Sequence, residues 1–419
     1  MTNRFILFFL IIVFSTLSSR GVVLAQTSQY PQTREGLQQK IQDSAEELKK
    51  LQEQIKATEE SLKNTKTQKT SLQRELAALQ SNVSKLNLEI QSDKITIQKL
   101  SLEIESIGYD LKDIKLGMAD KKDAVGEVLR EIQKKDSSSL LALFLKNNSL
   151  AQGVLEAQAL ANLSSQLAID ISKLRDLSQE YSDKLSVTTD KKNKITFQQK
   201  NLESKKVILV DQRTERETLL KVTKNQEALY QENLKELSKR QQEIASEIEK
   251  IENELRKNID PSILPIPRPG VLLMPVLNAR TSQDYGSTNF AQFGYKGKWH
   301  NGLDFAAPIG TPIFAAESGQ VVALDNQDRY CYKGAYGKYI VIKHGNNLTT
   351  LYGHLSLQVV KVDQTVSRGD VIGYVGRSGY ATGPHLHFTV FASPTFIMKP
   401  SQSCGPMPVG GDMDPAKYL

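Results

Sequence analysis

Apolar side chains recur in a 4-3 alternation from Ile41 to Ile132, through Leu48, Leu51, Ile55, Leu62, Leu72, Leu76, Leu79, Val83, Leu86 and Ile90. The same register continues at Ile97, Leu100, Ile104, Ile107, Leu111, Ile114, Met118, Val125 and Val128. A seven-residue repeat sustained over this distance predicts helices that wind around a partner. Polar residues at Ser44, Thr58, Thr65, Lys69 and Asp93 interrupt the seam and weaken it. A second run in the same spacing joins Leu167, Ile171, Leu174, Tyr181, Leu185, Ile195, Leu202 and Leu209 to Leu220, Tyr230, Leu234, Leu237, Ile244, Ile248, Ile251 and Leu255. The arms 41–132 and 167–255 are almost equal in length, as an antiparallel hairpin within one chain requires. The sequence therefore predicts a monomeric rod of roughly 135 Å at about 1.5 Å per residue, in preference to a parallel dimer of extended chains.

Between the arms the text changes. Ser137–Ser139 break the repeat, Leu140, Leu141, Leu143, Phe144 and Leu145 cluster, and Gly153 interrupts again. Short helices at a hairpin tip, residues 137–166, fit this pattern. The surplus apolar surface serves either as a partner site or as a small local core. The hairpin region as a whole spans 33–258. Pro261, Pro265, Pro267 and Pro269 then favour extended backbone and mark a linker over 259–269. From 270 to 419 glycines become frequent, and short runs such as TPIFAA, KYIVIKH, LTTLYGHL and HLHFTVF read as strands separated by turns, an all-β domain. The fold class expected is a long antiparallel coiled-coil hairpin followed by that domain.

The N-terminus adds a targeting element. Arg4, the apolar run Phe5–Phe14 and Val23-Leu24-Ala25 before Gln26 form the pattern of a secretory signal over residues 1–25. The apolar run is too short to cross about 30 Å of hydrocarbon as a helix, so export and release follow. The formal charge of +7 falls to +5 without Arg4 and Arg20. This mild excess suits an anionic envelope polymer. No basic block with interleaved aromatics argues for nucleic acid. Cys331 and Cys404 are the only cysteines, and in one domain of an exported protein they read most simply as a disulfide.

Candidate chemistry sits at the C-terminal end. Four of the five histidines fall in the phrases WHNGLDF, LYGHLS and GPHLHF, as His300, His354, His385 and His387, with Asp304 beside the first. Imidazole is the commonest zinc ligand, and a catalytic zinc takes three protein ligands and leaves one position open. Two histidines and the aspartate would fill that set, and two histidines would remain to move protons. Gly302 allows His300 and Asp304 to converge, and alternation along a strand directs His385 and His387 to one face. His354 follows a strand and opens a loop. His344, at a strand end, reads as structural. Tyr352 and Tyr380 neighbour these phrases and either contact substrate or pack the groove walls.

HNGLD with APIGTPIFAAESGQVV, then TLYGHLS, then VSRGDVIGYVGRSGYATGPHLHF closely resemble the lysostaphin/LytM family of zinc endopeptidases, over about Pro269 to Leu419. The resemblance implies one zinc per chain held by His300, Asp304 and His387. It implies that His354 and His385 polarise water and stabilise the oxyanion, and that the substrate is the peptide cross-link of bacterial peptidoglycan. Two insertions depart from the family pattern, DNQDRYCYKGAYG around Cys331 and SPTFIMKPSQSCGPMPVGGD around Cys404; a bridge between them would pin two loops beside the groove. The whole architecture is similar to division-associated coiled-coil murein hydrolases and hydrolase activators. That likeness implies a periplasmic or extracellular, envelope-associated protein whose rod docks on a transporter-like membrane complex and restrains the terminal domain. A non-catalytic activator of a separate amidase is the alternative reading, and the intact ligand set weighs against it.

Overall fold

In a computed structural model, residues 34–65, 71–135, 150–224, 226–294, 297–401 and 404–419 are described. The expected signal segment 1–25 and the apolar tip at 137–149 lie outside them. Among the described residues four long helices come first: α1 (Arg34–Thr65), α2 (Leu72–Lys135), α3 (Leu150–Thr223) and α4 (Glu227–Arg256). Helices α2 and α3 pair antiparallel. Lys121 meets Asp170 at 2.9 Å, Lys184 meets Asp110 at 2.9 Å, and Lys205 meets Asp93 at 2.8 Å, so partners rise along one helix as they fall along the other. Between them Leu79, Val83, Leu86, Ile90 and Ile114 of α2 and Leu202, Ile208 and Leu209 of α3 are buried. This supplies the apolar seam that single helices of such composition need. Helix α1 packs on α2, burying Leu37 and Leu51.

Each expected arm thus carries two helices, and the second arm divides its allegiance. Lys224 adopts a left-handed backbone with φ 48°, which ends α3 and lets α4 start in a new direction. The seam residues Ile244, Ile248, Ile251 and Leu255 of α4 pack on the β domain and not on the first arm. Their 4-3-4 spacing defines an apolar face without stating what covers it.

The β domain is built from antiparallel ladders. The main sheet runs β1 (Arg280–Gln283), β2 (Leu303–Ala306), β10 (His385–Ala392), β6 (Leu348–Gly353), β5 (Lys338–His344), β4 (Gly319–Asn326) and β8 (Thr365–Val366), and β13 (Asp412–Met413) also pairs with β10. A second sheet orders β3 (Pro312–Phe314), β9 (Val371–Val375) and β7 (Leu355–Gln358), and β11 (Ile397–Ser401) pairs with β12 (Gly405–Val409). A one-turn helix, α5 (Asn289–Gly294), lies between β1 and β2.

The main sheet is covered on both faces, and the period of two sorts its side chains. Ile340 and Ile342, with Leu386, Phe388 and Val390, enter one core with Leu303, Phe305, Ile313 and Tyr352. Tyr339 and Val341, with Leu351 and Phe391, enter another with Met407, Val409, Cys404 and Ile244 of α4. Cys331 and Cys404 form a disulfide across a separation of 73 residues, tying the loop before β5 to the β11–β12 hairpin. The rod lies along the domain: Ile309 and Tyr374 share a cluster with Leu86 and Ile208, and Arg377 grips Glu75 at 2.6 and 3.1 Å. The domain is clasped at its own ends, where Gly270 N donates to Leu419 O and Leu272 N to Tyr418 O.

Candidate metal centre

Strands β2 and β10 bring the chemistry together. Their antiparallel register places Asp304 opposite His387, and the strand period sets His385 and His387 on one face. His300 precedes β2, where paired backbone bonds with Gly286 hold it. Gly302 is required by crowding: a Cβ there would stand 2.6 Å from Phe388 O and 2.9 Å from His387 Cε1. His354 sits between β6 and β7 with φ 62°, a left-handed conformation that few non-glycine residues adopt. This kink carries its ring to the other histidines, 4.7 Å from that of His385 between centroids.

The donor atoms converge. His300 Nε2 is 3.1 Å from both Asp304 Oδ1 and His387 Nδ1, and His387 Nδ1 is 2.9 Å from Asp304 Oδ1. Among the described residues, His300, Asp304 and His387 form the one group of this kind, and all three are buried. The opposite nitrogens are fixed as well. His300 Nδ1 donates to Asp284 O at 2.7 Å, and His387 Nε2 faces the Thr389 hydroxyl at 2.9 Å. The first bond leaves His300 Nε2 as an inward lone pair, and a Thr389 hydroxyl that accepts from His387 Nε2 does the same for His387 Nδ1, the tautomers a metal needs. Two imidazoles and one carboxylate with neighbouring space suit a divalent ion of the zinc type with an open position.

Charge in the centre follows the same logic. Burial alone would raise the Asp304 carboxyl, but His300, then His387 and His385, outweigh it and hold Asp304 well below the ordinary carboxylate range. Burial would lower His300, and Asp304 reverses this so that it is raised. His354 is pushed well down, first by burial and then by the charges of His385 and His387. Its Nδ1 donates to Ser378 O at 2.8 Å, and His385 Nδ1 donates to Gly383 O at 2.8 Å. In the neutral His354 ring Nε2 is therefore free to accept a proton. His385 Nε2 lies 3.5 Å from Asp304 Oδ2.

Residues 298–397 match the model of peptidase family M23. This stretch is an M23 domain. Its relatives include the peptidoglycan DD-endopeptidase ShyA of Vibrio cholerae, 51% identical over 89 residues, which cover 21% of this chain and 19% of that protein. The DD-carboxypeptidase/endopeptidase Mpg of Neisseria meningitidis is 37% identical over 119 residues, 28% of this chain and 26% of that one. The chain thus spans about a fifth to a quarter of the length of these curated relatives. The catalytic domain of lysostaphin from Staphylococcus simulans aligns at 31% identity with a TM-score of 0.26, covering 33% of this chain and 90% of that one.

The M23 domain assembles His300, Asp304, His354, His385 and His387 in one place and leaves two other residues elsewhere. His344 donates and accepts within the fold, with Ser318 O at 3.1 Å and the Thr350 hydroxyl at 2.8 Å. Tyr352 is fully buried against Phe388, and its hydroxyl accepts from Ala316 N at 2.9 Å. It is a core residue and not a substrate contact. Tyr380 does line the cleft beside His354. Sequence reasoning missed Asn301, Tyr336 and the opposite wall of that cleft, which is α4: Ile244, Ile248 and Glu252 face the histidines. The space left beneath α4 is about 70 Å³, room for a few waters. Asn301 could have been suspected from its place inside HNGLD; nothing in the heptads of α4 signals a cleft.

Proposed function

We propose that this chain is an exported zinc-dependent endopeptidase that hydrolyses peptide cross-links of bacterial peptidoglycan. In this reading residues 1–25 direct export, the helical region 33–258 localises or restrains the enzyme, 259–269 links, and 270–419 carries the reaction. The observation that carries it is the convergence of His300 Nε2, Asp304 Oδ1 and His387 Nδ1 beside two further buried imidazoles. The relatives' own names supply the substrate class. When bound, zinc lowers the pKa of a water and polarises a scissile carbonyl.

The remaining work falls to the chain. His354, kept neutral by burial, takes a proton at Nε2 and returns it to the leaving amine. The His385 ring lies 4.7 Å from that of His354 between centroids and is the second imidazole placed to donate to developing negative charge. Asp304 stays ionised across the working range, because its imidazole neighbours hold it so. Helix α4 forms a wall of the cleft and leaves about 70 Å³ there, which supports restraint by the helical region. The apolar tip at Leu141, Phe144 and Leu145 is the proposed contact with a transporter-like membrane complex; polar substitutions there should cost localisation and spare cleavage.

The deciding experiment digests purified peptidoglycan with the zinc-loaded full chain and reads the products by mass spectrometry. Cleaved cross-links from the native chain and none from His387→Ala, which should also lose its zinc, are expected. Full cleavage by His387→Ala would end this reading, and an inert but zinc-loaded native chain that stimulates an added amidase would favour the activator instead.

A further inference from the structure

The cleft beneath α4 holds a polar cluster that the metal triad does not use. Glu252 of α4 is 1% exposed, and its carboxylate accepts from Asn301 Nδ2 at 2.9 Å through Oε1 and 2.8 Å through Oε2. The same Asn301 nitrogen lies 2.6 Å from the Tyr336 hydroxyl, which in turn hydrogen-bonds Glu252. Asn301 directly follows His300, and the Tyr336 ring centre is 5.6 Å from that of His387. Both donors belong to the M23 domain, whereas Glu252 arrives from outside it.

As a device for stability this contact is poor. A buried carboxylate whose hydrogen-bond partners are all neutral loses hydration without a matching charge. Among the neighbouring charges Asp412 and Glu249 repel Glu252, and the attraction of Arg256 is shared with both of them, to which it is already bonded. The donors must stand there for another reason. If α4 lifts, Glu249, Glu252 and Arg256 leave together. Asn301 and Tyr336 then face an open groove one residue from the metal, with Asp412 held behind them by Trp299 Nε1 at 3.1 Å.

The geometry points to Asn301 and Tyr336 as a substrate subsite for a neutral hydrogen-bond acceptor, a carboxamide or peptide carbonyl, with Glu252 as its resident occupant while α4 is docked. The inference rests on the endopeptidase reading and names a specificity determinant within it. A free carboxylate fits less well, because among the described residues the only cation acting on Glu252, Arg256, departs with α4 and Asp412 remains. An acceptor held here lies beside the scissile bond and sets its register against the triad.

The test uses the zinc-loaded full chain and a synthetic cross-linked stem-peptide pair, identical except for a carboxamide or a free carboxylate on the residue next to the scissile bond. Calorimetry gives Kd and turnover gives KM for each peptide. Glu252→Ala should bind the carboxamide peptide at least about tenfold tighter than the native chain does, and about tenfold tighter than the carboxylate peptide. Adding Asn301→Ala or Tyr336→Phe should bring that preference toward one. Tyr336→Phe keeps the packed ring, so it reports on the hydroxyl even if Asn301→Ala disturbs the fold. No preference in Glu252→Ala, or a preference that survives both second substitutions, overturns the seat. Selective binding without cleavage would leave the seat standing and remove the endopeptidase reading.

Discussion

Helix α4 can be loosened from the cleft at one residue without touching the centre itself. Ile244 is 3% exposed and inserts beside the disulfide loop, where a Cβ added to Gly334 would stand 2.9 Å from its Cδ1. Replacing Ile244 with Ala removes buried methylenes at a contact that the open state lacks, a loss of about 2–3 kcal/mol. The ratio of open to closed chain then rises roughly 30- to 150-fold, since each 1.4 kcal/mol is tenfold. While the open form is the minor one, the initial rate of peptidoglycan release by the zinc-loaded full chain should rise by the same factor, and it should level off once most molecules are open. Dye release from labelled peptidoglycan measures it, with far-ultraviolet circular dichroism to show that the helices persist. An unchanged rate in a folded Ile244→Ala chain would refute the view that α4 controls entry to the cleft.

Further outcomes follow from the same geometry. His354→Ala should lower kcat by about 10²–10⁴ while the zinc content, measured by atomic absorption, stays at the native value, because His354 lies outside the ligand set. Glu252 is held well above 4.5, first by burial and then by Asp412. Its contribution to docking is therefore full below about pH 4.5 and is lost as pH rises through the raised value. Hydrogen exchange of α4 should show protection falling with pH in that window, and Glu252→Gln should flatten the dependence. Cys331→Ser/Cys404→Ser releases a loop of 73 residues and should cost about 4 kcal/mol, read as a lower Tm of the M23 domain by calorimetry.

Much of this protein is legible in its sequence where chemistry is concentrated. Histidine is rare enough in this chain, with all five in the β region, that WHNGLDF, LYGHLS and GPHLHF point to a shared centre from sequence alone. Strand alternation at His385 and His387 stated their common face. The helical region is equally audible, because its 4-3 period continues over so many turns. What a period cannot state is the partner. Ile244, Ile248, Ile251 and Leu255 carry the same spacing whether they meet a helix or, as here, the edge of a β core. Lys224, where the second arm turns, is an ordinary lysine in a left-handed pose that its residue type does not signal. Tyr352 shows the converse: adjacency to LYGH suggested the groove, but the pleat points its ring inward to Phe388. The role of Asn301 and Tyr336 needed the third dimension, since 35 positions separate them.

Helix α4 has no free end. Upstream it joins α3 through residues 224–226, and downstream it runs through Lys257 and Asn258 into Ile259, which nestles against Gly411. Any uncovering of the cleft is therefore a bowing of a strap fastened at both ends, and recapture is a unimolecular event. Its speed and extent are indifferent to how dilute the protein becomes. A molecule alone in a large volume would be shut as firmly as one in a crowd, and only a force or ligand acting on the strap itself could hold it open.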